Sequence, residues 1–265
     1  MSPDRFYDEL AEYYDLIYPE WDRAMARHGE AIAQMLEPIG RVSTDGGTRV
    51  LDVSAGIGTQ SLPLAELGFD VTARDLSASS VARLRREASS RGLDIDAGVA
   101  DMRSVSKTVD GTFEAVVAFD NAVPHLLNDD EILRALREFR RVLEPGGMLL
   151  VSLRDYDGVD RAPTSYHPYG DRHREGQTFR LGQEWEWLGP DHYRTTLVIE
   201  AVDETTREEL LRSATEYYAI SPTRVAELIL EAGFESCEMT DVPFFQPVLI
   251  GRREAASLGP GPSSS

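Results

Sequence analysis

One short stretch, Arg49 to Gln60, limits what this chain can fold into more than any other. An apolar, β-prone run ending at Val53 stops abruptly in small residues, and a helical pattern starts at Thr59. A strand that turns into a helix in this way lets the backbone approach a ligand and directs free N–H groups at it. Gly56 and Gly58 are predicted where a Cβ would collide with that ligand or need strained dihedral angles.

The residues around this loop indicate what kind of ligand it binds. A dinucleotide fingerprint would have a third glycine where this chain has Ser61, and Asp52 before the loop would repel a phosphate. Asp52 is better suited to accept from a cationic amino group. Asp75, which ends the next apolar run, is well placed to bind a ribose diol. A ligand with an amino-acid end and a nucleoside end fits both carboxylates, and S-adenosylmethionine has those two ends.

Apolar runs and helical patterns alternate along much of the remaining chain. The predicted strands are 49–53, 69–74, 95–100, 113–119 and 147–153, and the predicted helices are 59–67, 78–91 and 129–142. Such alternation is typical of a mostly parallel sheet with right-handed crossovers. A helix at 222–232 and runs at 234–240 and 244–251 are predicted to return to this domain, the last run antiparallel.

The remaining segments depart from this alternation. Two amphipathic helices, at 6–18 and 21–36, are predicted before the first strand. Residues 155–178 hold many proline, glycine and polar residues and predict a loop. Residues 178–188 and 192–202 then predict two strands, with 208–219 a candidate for a third. Residues 255–265 are rich in glycine, proline and serine and are predicted to be disordered.

Five segments resemble, in the right order, the motifs of class I S-adenosylmethionine-dependent methyltransferases. These segments are 51–60, 71–77, 100–103, 119–126 and 143–147. Segments 119–126 (FDNAVPHL) and 152–158 (SLRDYDG) also resemble the glycine and glycine/sarcosine N-methyltransferase branch. Two positions depart from the pattern: Ser54 stands where the family usually has glycine, and Asp120 where that branch has glycine. The second departure indicates an acceptor that is larger than glycine or cationic.

The resemblance implies an α/β fold, the Rossmann-like class I methyltransferase sheet, mostly parallel with an antiparallel last strand. An N-terminal helical lid would span 1–40, and the cofactor-binding domain 41–154 and 221–253. An antiparallel β cap that selects the substrate would be inserted after the fifth strand, at 155–220. A disordered tail would span 254–265.

The resemblance also implies the residues of the cofactor site. The methionine portion would contact Asp52, Ser54, Ala55, Gly56 and Gly58. The ribose would contact Asp75 and Leu76, and the adenine Ala100, Asp101 and Met102. The further cofactor contacts would be Asp120 and, from the lid, Tyr14, Trp21 and Arg27, with Arg27 a candidate for the cofactor's carboxylate.

Other residues are candidates for the reaction itself. By the same resemblance, Arg154 would hold a substrate carboxylate and Asn121 would orient the amine, with Tyr156 nearby. His125 is either a general base or a structural, cofactor-contacting histidine. Trp185 and Trp187 share one face of a strand, and either form a wall of the substrate cavity or pack inside the cap.

Composition excludes several other classes of function. The chain has 46 acidic and 27 basic residues, a formal charge of −19, which disfavours nucleic acid as a partner. No run of about 18 apolar residues predicts a membrane span. Cys237 is the single cysteine, so neither an intrachain disulfide nor a thiolate metal site is expected, and no metal-ligand spacing is seen. Without a secretory signal at the start of the sequence, a cytoplasmic location is expected.

These observations together predict an S-adenosylmethionine-dependent methyltransferase with a small-molecule acceptor, which could form a homo-oligomer. The reaction would be an in-line displacement at an amine nitrogen of an amino acid or another metabolite, leaving S-adenosylhomocysteine. An O-methyltransferase of a natural-product pathway is the alternative within the class. A nicotinamide-dependent oxidoreductase and a non-catalytic cofactor-binding protein are the alternatives outside it.

Overall fold

Two separate β-sheets form the framework of the computed structural model, which describes residues 2–39, 47–203 and 205–256. The larger sheet consists of β1 (Arg49–Asp52), β2 (Asp70–Asp75), β3 (Asp96–Val99), β4 (Phe113–Ala118), β5 (Leu143–Ser152), β10 (Ser236–Met239) and β11 (Val248–Arg252). The strand order is β10-β11-β5-β4-β1-β2-β3. β11 runs antiparallel to both of its neighbours, β10 and β5, whereas the other four strand pairs are parallel. The mostly parallel sheet with an antiparallel last strand is therefore confirmed.

Helices cover both faces of this sheet. They are α2 (Trp21–Leu36), α3 (Ser61–Glu66), α4 (Ala78–Arg91), α5 (Asp129–Val142) and α6 (Pro222–Glu231). One core cluster joins α5 and α6 to the sheet, and a second joins α2 to the opposite face. Because both faces are buried, the central strands are continuous apolar runs rather than alternating ones. Helix α3 is shorter than the predicted 59–67, since the residues before it form the turn of the glycine loop.

The smaller sheet is antiparallel and has four strands, one more than the sequence indicated. They are β6 (Thr164–Arg174), β7 (Gln177–Trp187), β8 (His192–Val202) and β9 (Arg207–Tyr218), in that order. The predicted loop at 155–178 is thus wrong for β6. Its Pro168 and Gly170 flank a register shift on an edge strand, where proline is tolerated. The tight turn to β7 uses Glu175 and Gly176, both at positive φ.

The N-terminal segment packs onto the smaller sheet. Its first helix, α1, is Pro3–Leu10, and a 3-10 helix (Ala11–Ile17) follows where a continuous helix at 6–18 was predicted. Phe6 and Leu10 are buried in one cluster with Phe179 and Leu197 of the sheet. Residues 41–46 and the tail from 257 onward lie outside the described residues, so the predicted disorder of that tail is not addressed. No helix within the described ranges is long and apolar enough to cross a membrane.

Candidate active site

Two cavities meet where β1, β2 and β4 end. The first, here called the loop cavity, measures about 280 Å³ and is lined by residues of the glycine loop, by the ends of β2 and β4, and by residues 100–103. The second, here called the cap cavity, measures about 520 Å³ and lies between the N-terminal segment and the smaller sheet. Tyr7, Tyr14 and Asp120 line both cavities. Ligands in open α/β sheets bind at this edge of the sheet.

The two glycines of the loop have different roles. Gly56 lies at φ +52° and has no atom within 4 Å of where a Cβ would stand, which leaves that side open to a ligand. A Cβ on Gly58 would stand 2.5 Å from Leu84 and 2.7 Å from Leu62. Gly58 also lies at φ +102°, so the predicted need for an unusual dihedral angle is confirmed there, and packing between α3 and α4 adds a second reason for glycine. The predicted collision with a ligand does not account for this glycine.

Asp75 holds the loop in place. One carboxylate oxygen accepts from the Gly56 N–H and the other from the Ser77 N–H, both at 2.8 Å. Burial raises the pKa of this carboxyl, and the backbone donors oppose the rise. Each oxygen keeps a second lone pair, so a pair of ribose hydroxyls could still donate to it. Leu76, beside it, is 41% exposed and lines the same cavity.

Asp52 lies behind the loop and lines neither cavity. Its carboxylate accepts from the Ser54 N–H at 3.1 Å and from the Ser61 hydroxyl at 2.7 Å. Burial raises the pKa of Asp52 to about 7. This position does not fit the predicted direct contact with a cationic amino group. Ser61, which stands where a dinucleotide fingerprint would have its third glycine, is thus the donor that fixes Asp52.

Of the three lid residues predicted to contact the cofactor, only Tyr14 lines a cavity. The indole N–H of Trp21 donates to Thr59 at 3.1 Å, and its ring faces the guanidinium group of Arg91 at 5.5 Å. Arg27 is exposed on α2. Neither Trp21 nor Arg27 lines the loop cavity or the cap cavity. Their predicted roles depended on a lid geometry that the packing of α2 does not produce.

Ala100, Asp101 and Met102 all line the loop cavity, as does Ser54, whereas Ala55 is buried and lines neither cavity. Arg103 donates to the Asp101 carboxylate through its side chain at 2.6 to 3.0 Å and through its backbone N–H at 2.8 Å. Hydrogen bonding from the Arg103 guanidinium lowers the pKa of Asp101. Asp101 is therefore a fixed, ionised acceptor at the predicted adenine end.

The chain is strained where it leaves β4. Asp120 and Asn121 lie at φ +58° and +62°, a region that residues other than glycine rarely adopt. The turn is held by Ser152, whose hydroxyl accepts from the Asp120 N–H at 2.9 Å and whose carbonyl accepts from the Asn121 N–H at 3.3 Å. Strain of this kind is concentrated at functional sites. The turn sets both side chains at the junction of the cavities.

Only one of the two oxygens of the Asp120 carboxyl accepts a hydrogen bond from a described residue. Its Oδ2 accepts from the Tyr18 hydroxyl at 2.7 Å, but its Oδ1 is buried without a hydrogen-bond partner. The side-chain amide nitrogen of Gln60 is also buried without a partner. Burial raises the pKa of Asp120, and the Tyr18 hydrogen bond opposes the rise, as do Gln60 and Tyr14, which lie close to the carboxyl without hydrogen-bond geometry. A buried carboxylate oxygen with a free lone pair, at the wall between two cavities, is suited to bind a cationic group.

Asn121 and His125 each form hydrogen bonds within the protein. The amide of Asn121 donates to Tyr156 at 2.8 Å and accepts from the Arg154 N–H at 2.9 Å. His125 donates from Nδ1 to the Glu216 carbonyl at 3.2 Å, because a carbonyl can only accept, and its Nε2 accepts from Tyr7 at 2.8 Å. Burial lowers the pKa of His125 to about 4. This geometry favours the structural interpretation of His125, whereas Asn121 lines the cap cavity and keeps a second amide N–H and a second carbonyl lone pair.

Arg154 is the basic side chain among the residues that line the cap cavity. Its guanidinium lies 4.6 Å from the centre of the Trp185 ring, and no carboxylate lies within 4 Å of it among the residues that the structure describes. Trp185 and Tyr156 are buried against Tyr193 and line neither cavity, and Trp187 packs beside them. The cap-packing interpretation of the two tryptophans therefore fits better. The Trp185 ring packs against the guanidinium group of Arg154.

Tyr7, Tyr193 and Tyr217 line the cavities although no sequence motif marks them. Tyr7 and Tyr217 have hydroxyls 3.3 Å apart, and Tyr7 also binds His125. Tyr169 and Tyr193 add further aromatic wall to the cap cavity. Tyr13, Tyr14 and Tyr18 lie within six residues of one another in the sequence, which is the local sign of an aromatic wall there. In the described part of the chain, no three His, Cys, Asp or Glu side chains are arranged to hold a metal ion.

Comparison with known proteins agrees with this geometry. A family described as a methyltransferase domain matches residues 50–147. The glycine/sarcosine N-methyltransferase of Halorhodospira halochloris is 31% identical over 159 residues, which are 60% of this chain and 59% of that protein. The chain thus spans less than two thirds of that relative's length.

Solved structures share the fold over most of their length. Streptomyces venezuelae DesVI superposes with a TM-score of 0.75 at 20% identity, covering 92% of this chain and 98% of that one. The S-adenosylmethionine-bound amino pentose methyltransferase CalS10 of Micromonospora echinaspora gives 0.67 at 21% identity, covering 85% and 91%. Residues 50–147 thus match a methyltransferase domain, and the chain as a whole shares the fold of the S-adenosylmethionine-bound CalS10.

Proposed function

We propose that this protein transfers a methyl group from S-adenosylmethionine to the nitrogen of a small-molecule amine that also carries an acidic group. The proposal rests mainly on Asp120. Its Oδ1 is buried without a hydrogen-bond partner among the described residues, and the residue lines both the loop cavity and the cap cavity. An amine that enters the cap cavity as an ammonium would satisfy this oxygen. Its nitrogen would then stand beside the loop cavity, where the methyl donor binds.

The loop cavity has the groups that the methyl donor needs. Asp75 and the Gly56 backbone would bind its sugar and its amino-acid portion, and Leu76 and Met102 would pack on its apolar surfaces. When bound, S-adenosylmethionine supplies an electrophilic methyl group on a positively charged sulfur. The contribution of the protein is to align donor and acceptor and to exclude water.

Asp120 is the residue that prepares the acceptor. An ammonium has no lone pair and cannot attack, so a proton must leave its nitrogen first. That proton moves to the Asp120 carboxylate, whose pKa is raised by burial. The freed lone pair would then face the loop cavity, where the bound donor would supply the methyl group and its sulfur would keep the electrons of the broken C–S bond. The proton on Asp120 then returns to solvent.

The size of the cap cavity bears on the acceptor. At about 520 Å³ with a largely aromatic wall, it is in the range of cavities that take drug-sized ligands, and glycine is far smaller. The relatives include glycine/sarcosine N-methyltransferases and an amino pentose methyltransferase. An amino acid with a sizeable side chain or an acidic amino sugar fits the cavity better than glycine does.

A methyl-acceptor screen tests the proposal. The purified protein is incubated with S-adenosylmethionine and separate sets of amino acids, amines, amino sugars and phenols, and products are read by mass. We expect methylation of amines that carry an acid group. Methylation of phenols alone would support the O-methyltransferase alternative. Saturable cofactor binding without any product would support a non-catalytic protein.

Replacing Arg154 with leucine should raise KM by about 10- to 100-fold for acceptors that carry an acid group. The reason is that a charged hydrogen bond of about 1.5–3 kcal/mol is lost. Neutral analogues of the same amines should be affected little. Arg161→Leu is a matched control, because Arg161 also lies over a tryptophan ring, at 4.9 Å from Trp187, but lines neither cavity. Equal effects on acidic and neutral acceptors would assign Arg154 a structural role.

A further inference from the structure

A third concave surface lies on the flank of the larger sheet, away from the cap. It measures about 350 Å³ and lies between α5 and the 3-10 helix Met102–Lys107. Its lining, here called the basic cleft, is Arg103, Ser104, Ser106, Lys107, Arg134, Arg137, Glu138 and Arg141. Arg134, Arg137 and Arg141 are three and four positions apart, so they share one face of α5.

The charge of this cleft contrasts with that of the whole chain. Acidic residues outnumber basic ones by 46 to 27, yet five basic side chains and one acidic side chain line this surface. Arg103 is already paired with Asp101 and Glu131. The single acid, Glu138, accepts from the hydroxyl and the N–H of Ser106 and lies 3.3 Å from Arg141.

Three cations of the cleft therefore have no ion-pair partner in direct contact within the described part of the chain, although Arg134 is close enough to Asp101 for its charge to help lower the pKa of that carboxyl. Lys107, Arg134 and Arg137 are exposed, and no carboxylate lies within 4 Å of any of them among the described residues. Several arginines elsewhere on this acidic chain have such a partner, for example Arg180, Arg194 and Arg212. Unneutralised cations held around one concave surface repel one another, and a bound anion would remove that repulsion.

We propose that the basic cleft binds a small ligand with two or more phosphate groups, such as pyrophosphate or a nucleoside diphosphate. Arginine is the preferred residue for phosphate because its planar donors match phosphate oxygens. The volume accommodates more than a single phosphate ion. A nucleic-acid backbone is disfavoured, because the acidic surroundings of the cleft would repel the rest of the strand. The proposal does not depend on the methyl-transfer function proposed above, although Arg103 lines both this cleft and the loop cavity.

Calorimetric titration of the full chain with pyrophosphate, ADP and inorganic phosphate tests the proposal. We expect saturable binding of pyrophosphate that is tighter than that of phosphate and weakens as salt is added. Tighter binding of ADP than of pyrophosphate would identify a nucleotide as the source of the phosphates, and equal binding a free polyphosphate. The double variant Arg134→Glu/Arg137→Glu should weaken pyrophosphate binding at least 10-fold.

The control is Arg23→Glu/Arg207→Glu, which changes the net charge by the same amount at exposed positions outside the cleft. Equal loss in both double variants would mean a general charge effect and would overturn the site. The absence of saturable pyrophosphate binding below about 10 mM would also overturn the site. Binding of a single-stranded oligonucleotide more tightly than pyrophosphate would overturn it as well. If the charge-reversal variant has an altered circular dichroism spectrum, the test is repeated with the charge-neutralising variant Arg134→Gln/Arg137→Gln.

Discussion

Replacing Asp120 with asparagine should lower kcat/KM for the amine acceptor by about 10²- to 10⁴-fold at pH 7, and change S-adenosylmethionine affinity little. Asparagine keeps the size of the side chain and can still accept from Tyr18, which donates to Oδ2 at 2.7 Å. It cannot take a proton from an ammonium or balance its charge. The buried site would then bind the acceptor only in the neutral form that is scarce at pH 7.

The dependence on pH separates this role from a structural one. Activity of Asp120→Asn should rise about tenfold per pH unit up to the pKa of the amine, because the acceptor must arrive already deprotonated. The wild-type protein should lose activity only when the pH falls below the raised pKa of the carboxyl. Tyr18→Phe is a companion variant. Since the Tyr18 hydrogen bond lowers that pKa, its loss should move the acid limb to higher pH.

Two outcomes would contradict this assignment. If cofactor affinity, measured by calorimetry, fell as far as kcat/KM, then Asp120 would bind the cofactor, as the sequence resemblance implied. If the pH profile of Asp120→Asn ran parallel to that of the wild type, the carboxyl would only hold the strained turn after β4. Neither outcome would by itself refute methyl transfer, which the acceptor screen measures directly.

Replacing Asp75 with alanine should weaken S-adenosylmethionine binding by about 2–4 kcal/mol, or roughly 30- to 1,000-fold. The variant loses the proposed acceptor for the ribose. It also leaves the N–H groups of Gly56 and Ser77 without the carboxylate that fixes them at 2.8 Å. Because those N–H groups shape the loop, the effect should exceed that of one lost ligand hydrogen bond.

Asp75→Asn is the matched control for this second prediction. Its carbonyl oxygen can replace one of the two acceptors, so the loss of affinity should be smaller than for alanine. Calorimetry with S-adenosylhomocysteine gives the same comparison without turnover. Unchanged affinity in Asp75→Ala would refute the ribose role. A loss of thermal stability alone, with normal affinity in the folded fraction, would assign the residue to the loop and not to the ligand.

Much of the predicted fold and cofactor site followed from residues that are close together in the sequence. The run ending at Val53, the turn through Gly56 and Gly58, and the acid at the end of β2 are local patterns. Strand and helix periodicity reports burial along a single element, so the parallel sheet and the cofactor edge followed from it. The strand β6 was missed because Pro168 and Gly170 are typical loop residues. A bulge at the sheet edge accommodates them.

The sequence by itself determined the sheet, its glycine loop and the carboxylate at the tip of β2, because each follows from a periodic pattern of neighbours. Only the tertiary structure decided that Asp52 lies behind the loop, that Asp120 stands between two cavities, and that Tyr7 meets Tyr217 across 210 positions of chain. Such contacts depend on how the N-terminal segment and the smaller sheet close over the larger one. Local periodicity holds no information about which distant side chains that closure brings together.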